Sequence, residues 1–147
     1  VDSLTREGIN NMATTHFSGP IAVGSGRVKE ISAATTLTAD DCGSLVALTG
    51  TVGYAVTLPT AAKAKGGTIR FVVQDLFGTT DWVITSPSAN MYGIVDELST
   101  LQAIAGATTL NLELGADTIG DWIEVTSDGT NWYVSGHMAQ AASITPA

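Results

Sequence analysis

From Arg27 onward the chain is built of short apolar runs cut by Gly, Pro, Asn and Asp signals, at the spacing of roughly ten residues that marks a strand-and-turn fold. Such spacing leaves no room for helices of useful length. The runs predict strands over Val28–Ile31, Ser44–Leu48, Tyr54–Leu58, Thr68–Gln74, Trp82–Thr85, Thr108–Leu114, Asp121–Thr126 and Asn131–His137. Leu58-Pro59 ends one of them, since proline cannot donate to a ladder. Ala61–Lys65 has helical propensity but is too short, and Gly66-Gly67 stops it.

Two runs alternate with period 2. Ile69, Phe71 and Val73 share one face opposite Thr68, Arg70 and Gln74, and Leu110, Leu112 and Leu114 share a face opposite Asn111 and Glu113. One buried and one wet face is the habit of antiparallel sheets. The clearest local element is Trp122–Val134, where Asp128-Gly129 supplies a two-residue hairpin turn. That turn sets Val125 opposite Trp132 and Ile123 opposite Val134. These four then face the core, with Trp122, Glu124 and Tyr133 on the other side. The expected fold is all-β, an antiparallel sandwich or jelly-roll-like domain over residues 28–137. An extended N-terminal arm (1–27) precedes it and a C-terminal tail (138–147) follows. The arm is poor in large apolar groups and turn-like around Phe17–Pro20 and Val23–Gly26.

Hydrophobic residues make up 44% of the 147 and charged residues only 14%, too apolar for a disordered chain. The net charge is −8, and all six cationic residues lie at or before Arg70. Nucleic-acid binding, which needs clustered cations, is not expected. Cys42 is the only cysteine, so an intrachain disulfide is excluded and assembly in a reducing cytoplasm is expected. The polar opening at Val1 lacks the apolar stretch of a secretory leader, and no run approaches the ~18 apolar residues of a membrane helix.

Residues that could carry chemistry are sparse. His16 lies in the arm and His137 ends a strand, neither beside an activated nucleophile. Cys42 follows Asp41, whose charge opposes thiolate formation. Asp40-Asp41 and Asp96-Glu97 are adjacent pairs that point opposite ways on a strand and read as turn residues. Asp117, Asp121 and Asp128 match no calcium loop, Gly24-Ser25-Gly26 lacks the lysine of a phosphate loop, and one Cys with two distant His makes no zinc pattern. No catalytic residue, metal or cofactor is expected. Trp82, Trp122, Trp132 and Tyr133 are candidate stacking platforms for a glycan, although core packing accounts for most tryptophans.

The run Ile31–Ser44, then Val56–Pro59, then Gly66-Gly67 leading into Ile69–Val73, and the closing stretch Gly120–Gly136 together resemble a β domain common in virion proteins of tailed bacteriophages. Its members include capsid decoration (cement) proteins and head or tail fibre modules. Cys42 stands where serine is expected. The resemblance implies a homotrimer on the outer capsid surface that bridges major capsid protein subunits, with no catalytic residues and no membrane or nucleic-acid partner. The alternative it carries is a fibre module binding a host receptor or glycan. Such modules follow a coiled-coil or repeat stalk, and the first 27 residues hold no heptads. The expected partner-binding residues are Phe17, Pro20, Ile21 and Val23 in the arm, which can dock across a neighbour, and Trp122 and Tyr133 on the outer hairpin face.

Overall fold

The computed structural model describes residues 27–147. Its first half passes back and forth between two layers. β1 (Val28–Ile31), β3 (Leu45–Leu48) and β5 (Thr68–Val73) belong to one sheet, while β2 (Thr35–Thr36), β4 (Ala55–Thr57) and β6 (Trp82–Thr85) belong to the other. Two crossings return the chain to the first sheet in its original direction, so the neighbours run parallel. Val28 pairs Leu45, which pairs Arg70, and Thr35 pairs Val56, which is joined to Ile84. The result is three stacked two-strand arches.

The second half adds hairpins. β7 (Met91–Glu97) and β8 (Thr100–Ala107) lie in the first sheet, β9 (Thr109–Leu112) in the second, β10 (Trp122–Ser127) and β11 (Trp132–Met138) in the first, and β12 (Ile144–Pro146) in the second. The seven-stranded sheet has the order β1-β3-β5-β10-β11-β7-β8, and the five-stranded sheet β12-β9-β6-β4-β2. Between them lies one core. Val46, Ile69, Phe71, Ile123, Val125 and Trp132 from the first sheet join Val56, Trp82, Ile84, Leu110 and Leu112 from the second. Each such side chain contributes about 1.5–3 kcal/mol of gross burial. Trp82 fits edge-on against Tyr54 and Phe77, at 5.8 and 6.4 Å between ring centres.

The all-β sandwich expected from the spacing is present, with two differences. Its sheets are mixed rather than antiparallel, because the arches impose parallel ladders that a jelly roll lacks. The hairpin register also moves by two residues: Ser127 pairs Trp132 and Val125 pairs Val134. The loop is therefore Asp128–Asn131, closed by Asp128 N donating to the Asn131 carbonyl at 3.2 Å. Asp128 Oδ1 accepts from the Thr130 and Asn131 amides at 2.8 and 2.7 Å, bonds that a two-residue turn would forfeit. A shift of two keeps every side chain on its face, so Ile123, Val125, Trp132 and Val134 are all buried as expected. Ala61–Gly66 is a turn. The last ten residues, expected as a tail, complete β11 with Met138 and supply β12, which pairs with β9.

Candidate functional site

The outward side of the seven-stranded sheet is the feature that stands apart. Pairing aligns its residues in rows across the strands. One row reads Thr68, Thr126, Tyr133, Tyr92, Ala105; the next, Arg70, Glu124, Ser135, Ile94, Ala103; the third, Val72, Trp122, His137, Asp96, Leu101. On the β5–β10 side the face is closed by its own contacts. The Arg70 guanidinium lies 4.4 Å over the Trp122 ring and pairs with Glu124 at 3.1 Å. Thr68 and Thr126 share a hydroxyl bond of 2.8 Å.

On the β11–β7–β8 side the face is open and apolar. Leu101 is 69% exposed, Ile94 53%, Tyr133 49% and Tyr92 41%, and Ala103 and Ala105 between them are exposed too. Tyr92 and Tyr133 stand at paired positions on adjacent strands, with the Tyr92 ring leaning over Gly106 of β8. Tyr133 Oη donates to Asp128 Oδ2 at 2.8 Å. That bond and the Asn131 and Thr130 amides hold the Asp128 carboxyl below its ordinary range, the amides having the larger effect. On this side His137 Nδ1 and Asp96 Oδ2 lie 3.3 Å apart, both half exposed.

Of the expected contact residues, Phe17, Pro20, Ile21 and Val23 lie outside the described residues. Trp122 and Tyr133 do share the outer face, but they sit at opposite ends of the hairpin, Trp122 paired with His137 and Tyr133 with Thr126, about 13 Å apart along the strands. Trp122 is half-buried under Arg70. The companions of Tyr133 are Tyr92, Ile94 and Leu101, which strand reading missed together with the β7–β8 hairpin. Trp82 and Trp132 are fully buried, so neither can stack on a sugar.

The other candidates serve structure. Asp41 bonds Lys29 Nζ at 2.9 Å and the Thr38 amide at 2.8 Å; burial pushes its carboxyl up, but these bonds bring it below the usual value. Burial and then Asp41 push the Cys42 thiol up. Asp96 and Glu97, expected in a turn, end β7 instead and face opposite ways: Asp96 meets His137, while buried Glu97 accepts from the Ile144 amide at 2.6 Å. Asp117 accepts from the Phe77 and Gly115 amides, and Asp121 from those of Thr118 and Ala139. Burial raises the Asp121 carboxyl despite those bonds. Among the described residues no three His, Cys, Asp or Glu gather as a metal site. A shallow cleft of about 330 Å³ beside β2 is lined by Thr36, Leu37, Thr57, Leu58, Pro59 and Lys63 among others; Lys63 is its one titratable group among the described residues. No family model, no curated protein and no solved structure matches this chain, and the outward face of β11–β7–β8 is the surface on which a functional reading rests.

Proposed function

We propose that this chain is a structural protein of a virion, a decoration protein that sits on the outer surface of a tailed-bacteriophage head and stabilises it by bridging major capsid protein subunits, with its copies associated as a trimer. The observation that carries the reading is the open apolar face of β11, β7 and β8 on a rigid two-sheet scaffold. A contiguous group of exposed large apolar side chains, here Leu101, Ile94, Tyr133 and Tyr92, supports a surface that is covered in the working state. The sequence resemblance over Ile31–Gly136 names the kind of assembly. The role is mechanical: packaged DNA presses outward on the shell, and each molecule bridging a subunit boundary adds binding free energy against rupture. The excess of acid elsewhere keeps crowded copies soluble and apart. No reaction is assigned to the chain.

The test is to add the purified chain to phage heads assembled without it and image them by electron cryomicroscopy. Saturable density at fixed lattice positions on the outer surface is the expected result, with heads that resist heat better once decorated. Heads left bare at saturating concentration would remove the reading. The exposure of Tyr92 and Tyr133 favours one second reading, a glycan-binding fibre module, because an exposed aromatic ring can stack on a sugar. Specific retention of the chain on a glycan array, lost in Tyr92→Ala, would select it.

A further inference from the structure

A sheet edge is an open row of backbone donors and acceptors, and stable proteins blunt it with short strands, charges or proline. Three of the four edges here are blunted. β1 has four residues, with Lys29 and Glu30 among them. β2 has two. β12 has three and carries Pro146. The fourth, β8, runs for eight residues from Thr100 to Ala107 without one charge or proline. Its Ala103 carbonyl accepts from the Gln102 side-chain amide at 3.0 Å. Among the described residues no strand pairs with its outer edge, which is interrupted only by the irregularity at Gly106; the edge borders the open apolar face described above, and Leu98, 67% exposed, caps the tip of the same hairpin.

We propose that the β7–β8 hairpin, with the outward side of β11, is where one copy of this chain packs against another. The proposal rests on the oligomeric part of the reading above and places its interface. A second copy fits for two reasons. A chain of net charge −8 repels itself wherever acids face each other, and this surface is poor in acids: Asp96, beside His137, lies in its last row, Asp128 lies in the loop beyond Tyr133, and Glu97 points inward. The face is also self-complementary, since leucine, isoleucine, alanine and tyrosine pack as well on their own kind as on any other apolar surface, and small Ala103 and Ala105 let backbones approach. A basic partner would find only those two carboxylates, both at the margin. Three strands of seven residues make a face of about 23 by 14 Å. That is below the usual size of a specific interface, so the association is expected to be weak and to depend on concentration.

The experiment measures the mass of the full chain by light scattering across a concentration series, for the parent and for Ile94→Lys/Leu101→Lys. Both positions are exposed, and unchanged melting of the dilute variant verifies its fold. The parent is expected to associate, and the two lysines to raise its dissociation midpoint at least about tenfold, because each would lose water at an apolar contact. In parallel, Leu101→Cys, Ala103→Cys and Ala105→Cys, each in a Cys42→Ser background, are treated with a short bismaleimide. Covalent oligomers from any of the three support the placement. An oligomer that ignores the lysines, or the absence of cross-links at all three positions, overturns the placement and leaves the oligomeric reading intact. A parent that stays monomeric throughout the series overturns both.

Discussion

Trp132 opens β11 with its side chain fully buried and its indole Nε1 without a hydrogen-bond partner among the protein atoms. Two opposing effects set the result of truncating it. Replacing a buried large aromatic by alanine costs about 3–5 kcal/mol in transfer and cavity terms. A buried N–H left unpaired penalises the native state by about 1–3 kcal/mol, and alanine removes that penalty. Trp132→Ala is therefore expected to destabilise by about 2 kcal/mol, a drop in melting temperature of roughly 4–8 °C for a chain of this size. Trp132→Phe keeps most of the apolar bulk and deletes the orphan donor, so it should fall within about 1 kcal/mol of the parent. The assay is far-ultraviolet circular dichroism through thermal and urea unfolding at one fixed protein concentration, since association makes melting concentration-dependent. Parent-like melting of Trp132→Ala would refute the placement of Trp132 in the core. A Trp132→Phe as costly as Trp132→Ala would show that the indole N–H is satisfied.

A Cβ on Gly93 would collide with the Val134 carbonyl oxygen, so Gly93→Ala should force β7 away from β11 and cost on the order of 3 kcal/mol, read as a lower urea midpoint. Asp128 has a lowered carboxyl pKa, so it contributes stability that is present above about pH 4 and lost as the pH falls through the lowered value. Asp128→Asn should then melt below the parent near about pH 7 and converge with it as the pH falls below the lowered value; Asp121, raised by burial, acts with the opposite sign but is common to both proteins. A chain beginning at Arg27 should melt like the parent, because the two-sheet core lies within residues 27–147, yet occupy phage heads far less; equal occupancy would move the head contact from the arm to the sandwich.

The strands legible in the sequence were those whose two faces differ. Ile69, Phe71 and Val73 alternate with Thr68 and Arg70, and they are buried and wetter in turn. The β7–β8 hairpin escaped because its faces do not differ: buried Met91 and Val95 alternate with exposed Tyr92 and Ile94, and β8 is alanine-rich with little β-branching. The property that makes this face a candidate contact is the one that hid its strands, so the face was missed with them. Only Tyr133 of its members was named in advance, through the period of the neighbouring hairpin. The parallel arches were illegible for another reason: Val28 and Leu45, or Leu45 and Arg70, pair across long stretches of chain, and nothing local announces the partner. The hairpin register turned on one side chain, Asp128, whose bonds to Thr130 and Asn131 outweigh the local preference of Asp-Gly for a tight turn.

The order β5-β10-β11-β7 has a consequence for how the molecule comes into being. The hairpin that fills the middle of the large sheet is delivered by the ribosome after both of the strands it joins. Until it arrives, the growing chain carries two half-sheets, one ending at β5 and the other beginning at β7, each with a raw border where the hairpin belongs. Translating the residues from the end of β7 to the end of β11 takes about 2–8 s at roughly 5–20 residues per second. For that interval both borders invite the wrong strand from another nascent chain. The hairpin is thus a keystone laid after the stones on either side of it. Loss of a few residues at the C-terminal end of β11 should ruin the fold, whereas every rung of the central sheet among the described residues lies after Arg27.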